Sequence, residues 1–112
     1  MCTAVTYQAA EFYMGRTLDY DCSFGEEVVI TPRKFSLPGA YAVIGMAHAA
    51  EGFPLYYDAV NEKGLGMAGL NFVGNAQYRQ QEAGRCNIPQ YALLLHVLRR
   101  CATLAQARAF LQ

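Results

Sequence analysis

The residue with the clearest chemical potential in this sequence is Cys2, which directly follows the initiator Met1. Removal of Met1 would give Cys2 both a thiol and a free α-amino group. The thiolate is the nucleophilic form of cysteine, and a free α-amine, with a reference pKa of about 8, can accept a proton near neutral pH. Nucleophile and base would then belong to one residue. The alternative is a small apolar residue that begins a strand.

Two charged residues, Arg16 and Asp19, are spaced to lie near Cys2. The segments Cys2–Tyr7 and Phe12–Asp19 are rich in β-formers and flank a short turn-like run, so the pattern predicts a hairpin. Its pairing brings a guanidinium that would favour the thiolate and a carboxylate that would orient the amine. Spacing alone equally allows a surface ion pair at a strand end, which contributes little to stability.

The segment after this hairpin, from Tyr20 to Glu27, mixes acidic, aromatic and glycine residues and is typical of a loop. Because it directly follows the proposed catalytic strand, its aromatic residues Tyr20 and Phe24 are candidates for lining an apolar substrate pocket. The alternative is that both rings cap the edge of the core.

Asn71 is a further candidate, because it follows an apolar run where a strand emerges into a loop. Its amide could donate a hydrogen bond to the carbonyl oxygen of a scissile amide and so stabilise an oxyanion. An asparagine at a strand end is also a common turn former.

Composition limits the possible functions. The chain has 112 residues and a formal net charge of zero, which indicates at most one domain and no nucleic-acid or membrane-surface partner. No signal-peptide pattern and no apolar stretch long enough to span a bilayer are found, so we predict a cytoplasmic protein.

The cysteines and histidines indicate no metal site. The four cysteines form no CxxC motif, and without an export signal we expect reduced thiols. Cys22, Cys86 and Cys101 are interpreted as small buried or half-buried apolar residues. His48, at the end of an apolar run, is interpreted as a hydrogen-bonded structural residue, and with His96 alone it cannot assemble a metal cluster.

Three regions beyond the first hairpin are predicted to be β-structure: Val28–Thr31, which ends at Pro32; Tyr41–Ala47; and a hairpin of Leu55–Val60 and Leu65–Phe72 around the turn Asn61–Gly64. The continuous apolar character of Tyr41–Ala47 predicts a strand covered on both faces.

Two helices are predicted near the end of the chain. Asn87 is the expected cap of a helix over Tyr91–Leu98, with Pro89 in its first turn. Thr103 is expected to cap the second helix, whose apolar face contains Leu104, Ala107, Phe110 and Leu111.

Several blocks occur together in a fixed order: Met1-Cys2-Thr3, Gly15-Arg16-Thr17-Leu18-Asp19, Ile30-Thr31-Pro32-Arg33, Asn61-Glu62-Lys63-Gly64-Leu65-Gly66 and Ala68-Gly69-Leu70-Asn71-Phe72. Over essentially its whole length the chain thereby resembles the choloylglycine hydrolase family, which contains bile salt hydrolases and penicillin V acylases.

The resemblance implies an α+β fold of the N-terminal-nucleophile αββα type, with residues 1–112 as the amino-terminal portion of a single domain. It implies amide hydrolysis by Cys2, supported by Arg16, Asp19 and Asn71, with no metal or organic cofactor. Bile salt hydrolases have asparagine at the position of Asn71, whereas penicillin V acylases tend to have tyrosine. Conjugated bile salts are therefore the expected substrates, and homo-oligomers are expected at full length.

Alternatives to this function remain open. Members of the family are considerably longer, and their second half supplies more sheet, a helical layer and further active-site Asn and Arg residues. The chain could instead be a penicillin V acylase-type amidase. It could also be an inactive truncated homologue that binds ligands without cleaving them, or a subunit-like piece whose site another chain completes.

Overall fold

The computed structural model describes residues 2–35, 40–71 and 74–112. These residues form a two-stranded hairpin, a four-stranded antiparallel sheet and two helices. The elements in chain order are β1 (Ala4–Gln8), β2 (Phe12–Arg16), β3 (Glu27–Thr31), β4 (Val43–Ala50), β5 (Phe53–Asn61), β6 (Gly66–Ala68), α1 (Gln90–Leu98) and α2 (Leu104–Leu111). The predicted α+β class is confirmed.

The amino-terminal hairpin forms as predicted. Strands β1 and β2 are antiparallel, with Ala4 opposite Arg16 and Gln8 opposite Phe12. The pairing continues one step towards the chain start, because the Thr17 N–H donates to the Thr3 carbonyl at 2.9 Å. The start of the chain is thereby held beside the segment that follows β2.

The larger sheet has the strand order β3-β4-β5-β6, so each strand pairs with the next one in the chain. The predicted hairpin of β5 and β6 around the turn Asn61–Gly64 is confirmed, and Gly64 has the positive φ of 84° that the turn requires. Its second arm is shorter than predicted, since β6 ends at Ala68; Phe72 lies outside the described residues.

The buried side chain of Asn61 joins this turn to α1. Its Oδ1 accepts hydrogen bonds from the backbone N–H groups of Lys63 and Leu65, both at 3.0 Å. Its Nδ2 donates to the carbonyls of Leu98 at 2.8 Å and Cys101 at 2.7 Å. All the hydrogen-bonding capacity of this buried amide is used, which orients the helix on the sheet.

The core lies between α1 and one face of the sheet. Most of its buried side chains are apolar residues of β4, β5 and α1, among them Val43, Ala47, Ala59, Leu94, Leu95, Val97 and Leu98. Gly45 brings β4 close to β5, because a Cβ there would lie 2.0 Å from the Asp58 carbonyl oxygen. Burial of these side chains is the main stabilising contribution of the sheet and helix.

The prediction that β4 is covered on both faces is wrong. Ile44 is exposed, and the residues opposite it, Ile30 and Val60, are exposed as well. We call the row formed by Ile30, Ile44 and Val60 the open face. Helix α1 covers only the other side of the sheet, which is why a continuously apolar strand keeps one exposed side.

The helix caps were predicted with mixed success. Thr103 caps α2 as expected, because its Oγ1 accepts from the Gln106 N–H at 3.2 Å. Asn87 does not cap α1; its side chain instead accepts from the Glu82 N–H and donates to the Glu82 carbonyl, at 2.9 and 2.7 Å. Pro89 occupies the N-cap position. Asn87 closes a local loop, an alternative open to a short amide side chain.

The predictions for the cysteines are confirmed only in part. All four are free thiols, and Cys101 is buried as predicted. The prediction is wrong for Cys22 and Cys86, which are exposed because they lie in the loops after β2 and before α1, where no strand or helix covers them. Within the described ranges, neither helix is long and apolar enough to cross a membrane, and no three potential metal ligands cluster.

Candidate active site

The half-buried thiol of Cys2 lies at the start of the chain, next to a short hydrogen-bonded network. The Oγ1 of Thr17 accepts from the Thr3 N–H at 3.0 Å and donates to Asp19 Oδ2 at 3.2 Å. One threonine thus links the carboxylate of Asp19 to the backbone of the residue after Cys2. Two of the predicted site residues, Cys2 and Asp19, therefore lie at the same end of the hairpin.

Arg16 lies at the end of β2, and its guanidinium is almost entirely buried. Its Nη1 donates to the Tyr57 carbonyl at 3.0 Å and its Nη2 to the Gly69 carbonyl at 3.2 Å. Its Nη1 also lies 3.5 Å from Asp58 Oδ2; the exposed side-chain fractions of the pair are 7% and 21%. Arg16 therefore fastens the hairpin to β5 and to the segment after β6.

The backbone of β5 is irregular where Arg16 binds it. Met46 is opposite Asp58 and Ala47 is opposite Tyr56, so Tyr57 has no partner in the ladder. This β-bulge is a feature that commonly re-aims a side chain beside a functional site. The Tyr57 carbonyl accepts both from Arg16 and from the Gly69 N–H, the latter at 2.8 Å.

Because of the bulge, Tyr57 and Asp58 lie on the same side of the sheet, whereas successive residues of a regular strand alternate between its sides. The Tyr56 hydroxyl lies in the core, 2.8 Å from Thr31 Oγ1. The Tyr57 hydroxyl lies 2.7 Å from His48 Nδ1, and Asp58 next to it faces Arg16. The role of Tyr57 and Asp58 was missed from the sequence, because the alternation of strand residues gives no sign of a bulge.

Tyr57 belongs to a group of four rings, Tyr20, Phe24, His48 and Tyr57, which we call the four-ring cluster. The centroid distances around it are 5.5 Å from Tyr20 to Phe24, 6.1 Å from Phe24 to His48, 5.6 Å from His48 to Tyr57 and 5.7 Å from Tyr57 to Tyr20. The predicted loop aromatics thus rest on two rings of the sheet. The interpretation of His48 as a hydrogen-bonded residue is confirmed.

A cavity of about 700 Å³ opens beside this cluster. Tyr20 lines it, whereas Phe24 packs behind Tyr20. Its remaining walls contain both apolar and charged side chains, namely Met14, Arg16, Leu18, Asp21, Cys22, Ser23, Glu26, Met46 and Asp58. The described walls of this cavity therefore carry polar and charged groups as well as apolar ones.

Two ionisable side chains at or beside this cavity, Glu26 and Tyr57, have shifted pKa values. A hydrogen bond from the Phe24 N–H, followed by one from the Ser23 hydroxyl, lowers the pKa of Glu26, so its carboxylate is ionised. Burial, followed by the charge of Glu26 nearby, raises the pKa of Tyr57. A tyrosine phenol is neutral at pH 7 even with its ordinary pKa, and the Tyr57 hydroxyl can donate its proton in a hydrogen bond.

Asn71, the remaining predicted site residue, is exposed and follows β6 by three positions. It comes two residues after Gly69, which is held by both Arg16 and the Tyr57 carbonyl. These two hydrogen bonds thus anchor the segment that leads to Asn71.

Comparisons with known proteins agree with this architecture. The family model described as linear amide C–N hydrolases, choloylglycine hydrolase family, matches residues 2–112. The chain is 42% identical to a bile salt hydrolase/transferase of Lactiplantibacillus plantarum, aligned over 100% of this chain and 37% of that protein. It is 35% identical to a conjugated bile acid hydrolase of Lactobacillus gasseri, over 100% of this chain and 39% of that protein.

A structural comparison also relates the chain to bile acid hydrolases. The chain superposes with a TM-score of 0.90 and 31% identity on the crystal structure of a mutant conjugated bile acid hydrolase from Clostridium perfringens. The match covers 100% of this chain and 38% of that one. The chain therefore has the fold of the amino-terminal part of that structure, and spans well under half the length of the relatives it matches.

Proposed function

The chain belongs to the choloylglycine hydrolase family, and from that premise we propose that it contributes the nucleophile for hydrolysis of glycine- or taurine-conjugated bile salts. One observation carries the proposal: a free Cys2 thiol lies beside the network of Thr3, Thr17 and Asp19 in a chain similar to proteins named for bile salt hydrolysis.

The proposed reaction begins after removal of Met1, which lies outside the described residues. The Cys2 thiolate attacks the carbonyl carbon of the conjugated amide while the α-amino group holds the proton. That proton passes to the leaving nitrogen, the C–N bond breaks, and glycine or taurine departs from a thioester. Water then loses a proton to the α-amine, attacks the thioester and releases the bile acid and the thiolate.

Three other residues have supporting roles in this proposal. Asp19, tied to the chain start through Thr17, orients the α-amino group. The amide of Asn71 donates to the oxygen that becomes negative during attack. Arg16 holds the hairpin against β5 and Gly69, so that the nucleophile and Asn71 keep their relative positions. All these steps use side chains, the amine and water, without a metal or organic cofactor.

We take residues 1–112 to be the amino-terminal portion of one domain, whose remaining chain, as in the longer relatives, would complete the pocket. Homo-oligomerisation at full length and a cytoplasmic location stay predictions of the sequence. Asn71 favours bile salts over penicillin V as the substrate. The relatives named hydrolase/transferase support a second outcome for the thioester, which is transfer of its acyl group to an amine in place of water.

The test is hydrolysis of glycocholate, measured as free glycine, alongside the intact mass of the chain. We expect loss of Met1 and release of glycine, measured both for the chain alone and for the chain joined to the carboxy-terminal part of the L. plantarum relative. Cys2→Ala should abolish release and leave glycocholate binding largely intact. The matched control is Cys86→Ala, an exposed cysteine in the loop before α1, which should release glycine normally.

Substantial glycine release by Cys2→Ala would refute the proposed nucleophile. Binding without release, in a sample that has lost Met1 and contains the joined carboxy-terminal part, would identify an inactive homologue.

A further inference from the structure

We propose that Tyr57 is a positioning residue for substrate selection: its hydroxyl bond to His48 holds the four-ring cluster, which sets the cavity wall facing the acyl group of the substrate. This inference deepens the proposed function and rests on it for the identity of the ligands. Tyr57 would act through Tyr20, the member of the cluster that lines the cavity.

The backbone of Tyr57 is fixed more firmly than that of an ordinary bulge residue. An unpaired bulge residue lacks the ladder bonds of its neighbours. Here the Tyr57 carbonyl accepts from Arg16 at 3.0 Å and from the Gly69 N–H at 2.8 Å. The position of the ring is therefore tied to the same arginine that fastens the hairpin of Cys2.

The hydroxyl of Tyr57 fixes the ring of His48 as well. The contact of 2.7 Å to His48 Nδ1 joins adjacent strands β5 and β4 through their side chains. The phenol is neutral at pH 7, and burial raises the pKa of Tyr57 further from that pH. The two sheet rings therefore form a defined platform.

The loop that forms the cavity wall rests on this platform. Its own hydrogen bonds, from the Ser23 hydroxyl and the Phe24 N–H to Glu26 at 2.6 and 2.9 Å, fix its shape but not its position on the sheet. Tyr20 and Phe24 are about half exposed, and they contact Tyr57 and His48 respectively. A shift of either platform ring would move the wall.

The shape of the ligand decides how much such a shift matters. The acyl group of a bile salt is a rigid fused-ring body, which cannot adapt to a displaced wall. The phenoxyacetyl group of penicillin V is small and has rotatable bonds, so it can adapt at low cost. Loosening the platform should therefore weaken bile-salt binding more than penicillin V binding.

The test is Tyr57→Phe, which keeps the ring and removes only the hydroxyl. In a Cys2→Ala background, dissociation constants are measured for glycocholate and penicillin V. We expect affinity for glycocholate to fall about fivefold relative to penicillin V, the size expected for one ordinary hydrogen bond. Where the unsubstituted nucleophile gives turnover, the change should be in KM for glycocholate and not in kcat.

The matched control is Tyr56→Phe, which removes the adjacent tyrosine hydroxyl from its bond with Thr31 in the core. It should leave the ratio of the two affinities within about twofold, because its partner lies on the helix side of the sheet. His48→Phe removes the same bond from its other end. The double variant of Tyr57 and His48 should therefore be no more selective against glycocholate than either single variant.

An unchanged ratio in Tyr57→Phe, or additive effects in the double variant, would overturn the inference. So would failure of the Cys2→Ala chain to bind either ligand, which would count against the proposed function too. A shifted binding ratio in a chain that never releases glycine would support the inference while refuting the hydrolytic function.

Discussion

At the scale of single residues, Arg16 shows how a correctly chosen site residue can have partners that the sequence does not reveal. Its charge and its place in the hairpin marked it as a candidate. Besides the neighbouring Thr17 carbonyl, its hydrogen-bond acceptors are the backbone carbonyls of Tyr57 and Gly69, 41 and 53 positions away. Every residue type carries such a carbonyl, so no pattern of side chains could have predicted these contacts.

We predict that Arg16→Lys destabilises the chain by about 2–3 kcal/mol, because a lysine amine cannot reach both carbonyls and Asp58 in the planar arrangement of a guanidinium. Chemical unfolding in urea measures the change. The control is Arg85→Lys, where an exposed arginine pairs with exposed Glu82 at 3.2 Å, and the expected change is close to zero. Equal stabilities of the two variants would contradict the role of Arg16 as a fastener.

At the scale of elements, periodicity and turn residues predicted both hairpins, β3 and the capped helix α2. They failed where an outcome depends on a neighbouring element. The bulge at Tyr57 arises between β4 and β5, and the exposure of Ile44 depends on which layer covers β4. Neither condition is contained in the local sequence of one strand.

A contact between elements also gives a prediction about pH. Glu62, in the turn after β5, pairs with Arg33 after β3 and accepts from the Ala42 N–H at 2.8 Å. The hydrogen bond from Arg33, followed by that from Ala42, lowers the pKa of Glu62 from 4.5 to about 2. A lowered pKa in the folded chain stabilises it above the unfolded value, and this contribution disappears as the pH falls from about 4.5 to 2.

We therefore expect Glu62→Gln to lower the Tm at pH 7, and the difference from the unsubstituted chain to vanish as the pH falls through that window. Scanning calorimetry at several pH values measures it. Glu82→Gln is the control, because Glu82 pairs with Arg85 in an exposed loop and should give little difference at any pH. A difference that persists at pH 2 would show that the lost contact is not ionic.

At the scale of the whole molecule, the ordered blocks of sequence were enough to identify the family. Which face of the sheet is covered by other elements could be seen only in the structure. The open face is apolar. Among the described residues, Phe12 and Met14 of β2 line a cavity with Ile44 and Val60, yet all three residues of the open face stay exposed. Exposed apolar surface of this kind binds apolar dyes and promotes association.

Adjacent positions of β3 allow this to be tested. Ile30 is 66% exposed on the open face, whereas Val29 packs against the core. We expect Ile30→Thr to reduce the fluorescence of bound anilinonaphthalene sulfonate without lowering stability. Val29→Thr should instead cost about 1 kcal/mol, since it places a hydroxyl at the core. The interpretation fails if Ile30→Thr leaves the dye signal unchanged.

The bulge in β5 has a consequence for chain length. Deletion of Tyr57 alone would leave Asp58 opposite Met46 and Tyr56 opposite Ala47, so the ladder would close without interruption. The sheet itself has no need of this residue, yet Arg16, Gly69 and His48 would each lose a partner. Among chains that share this sheet, a gap of one residue here would therefore mark those that have kept the scaffold and changed the site.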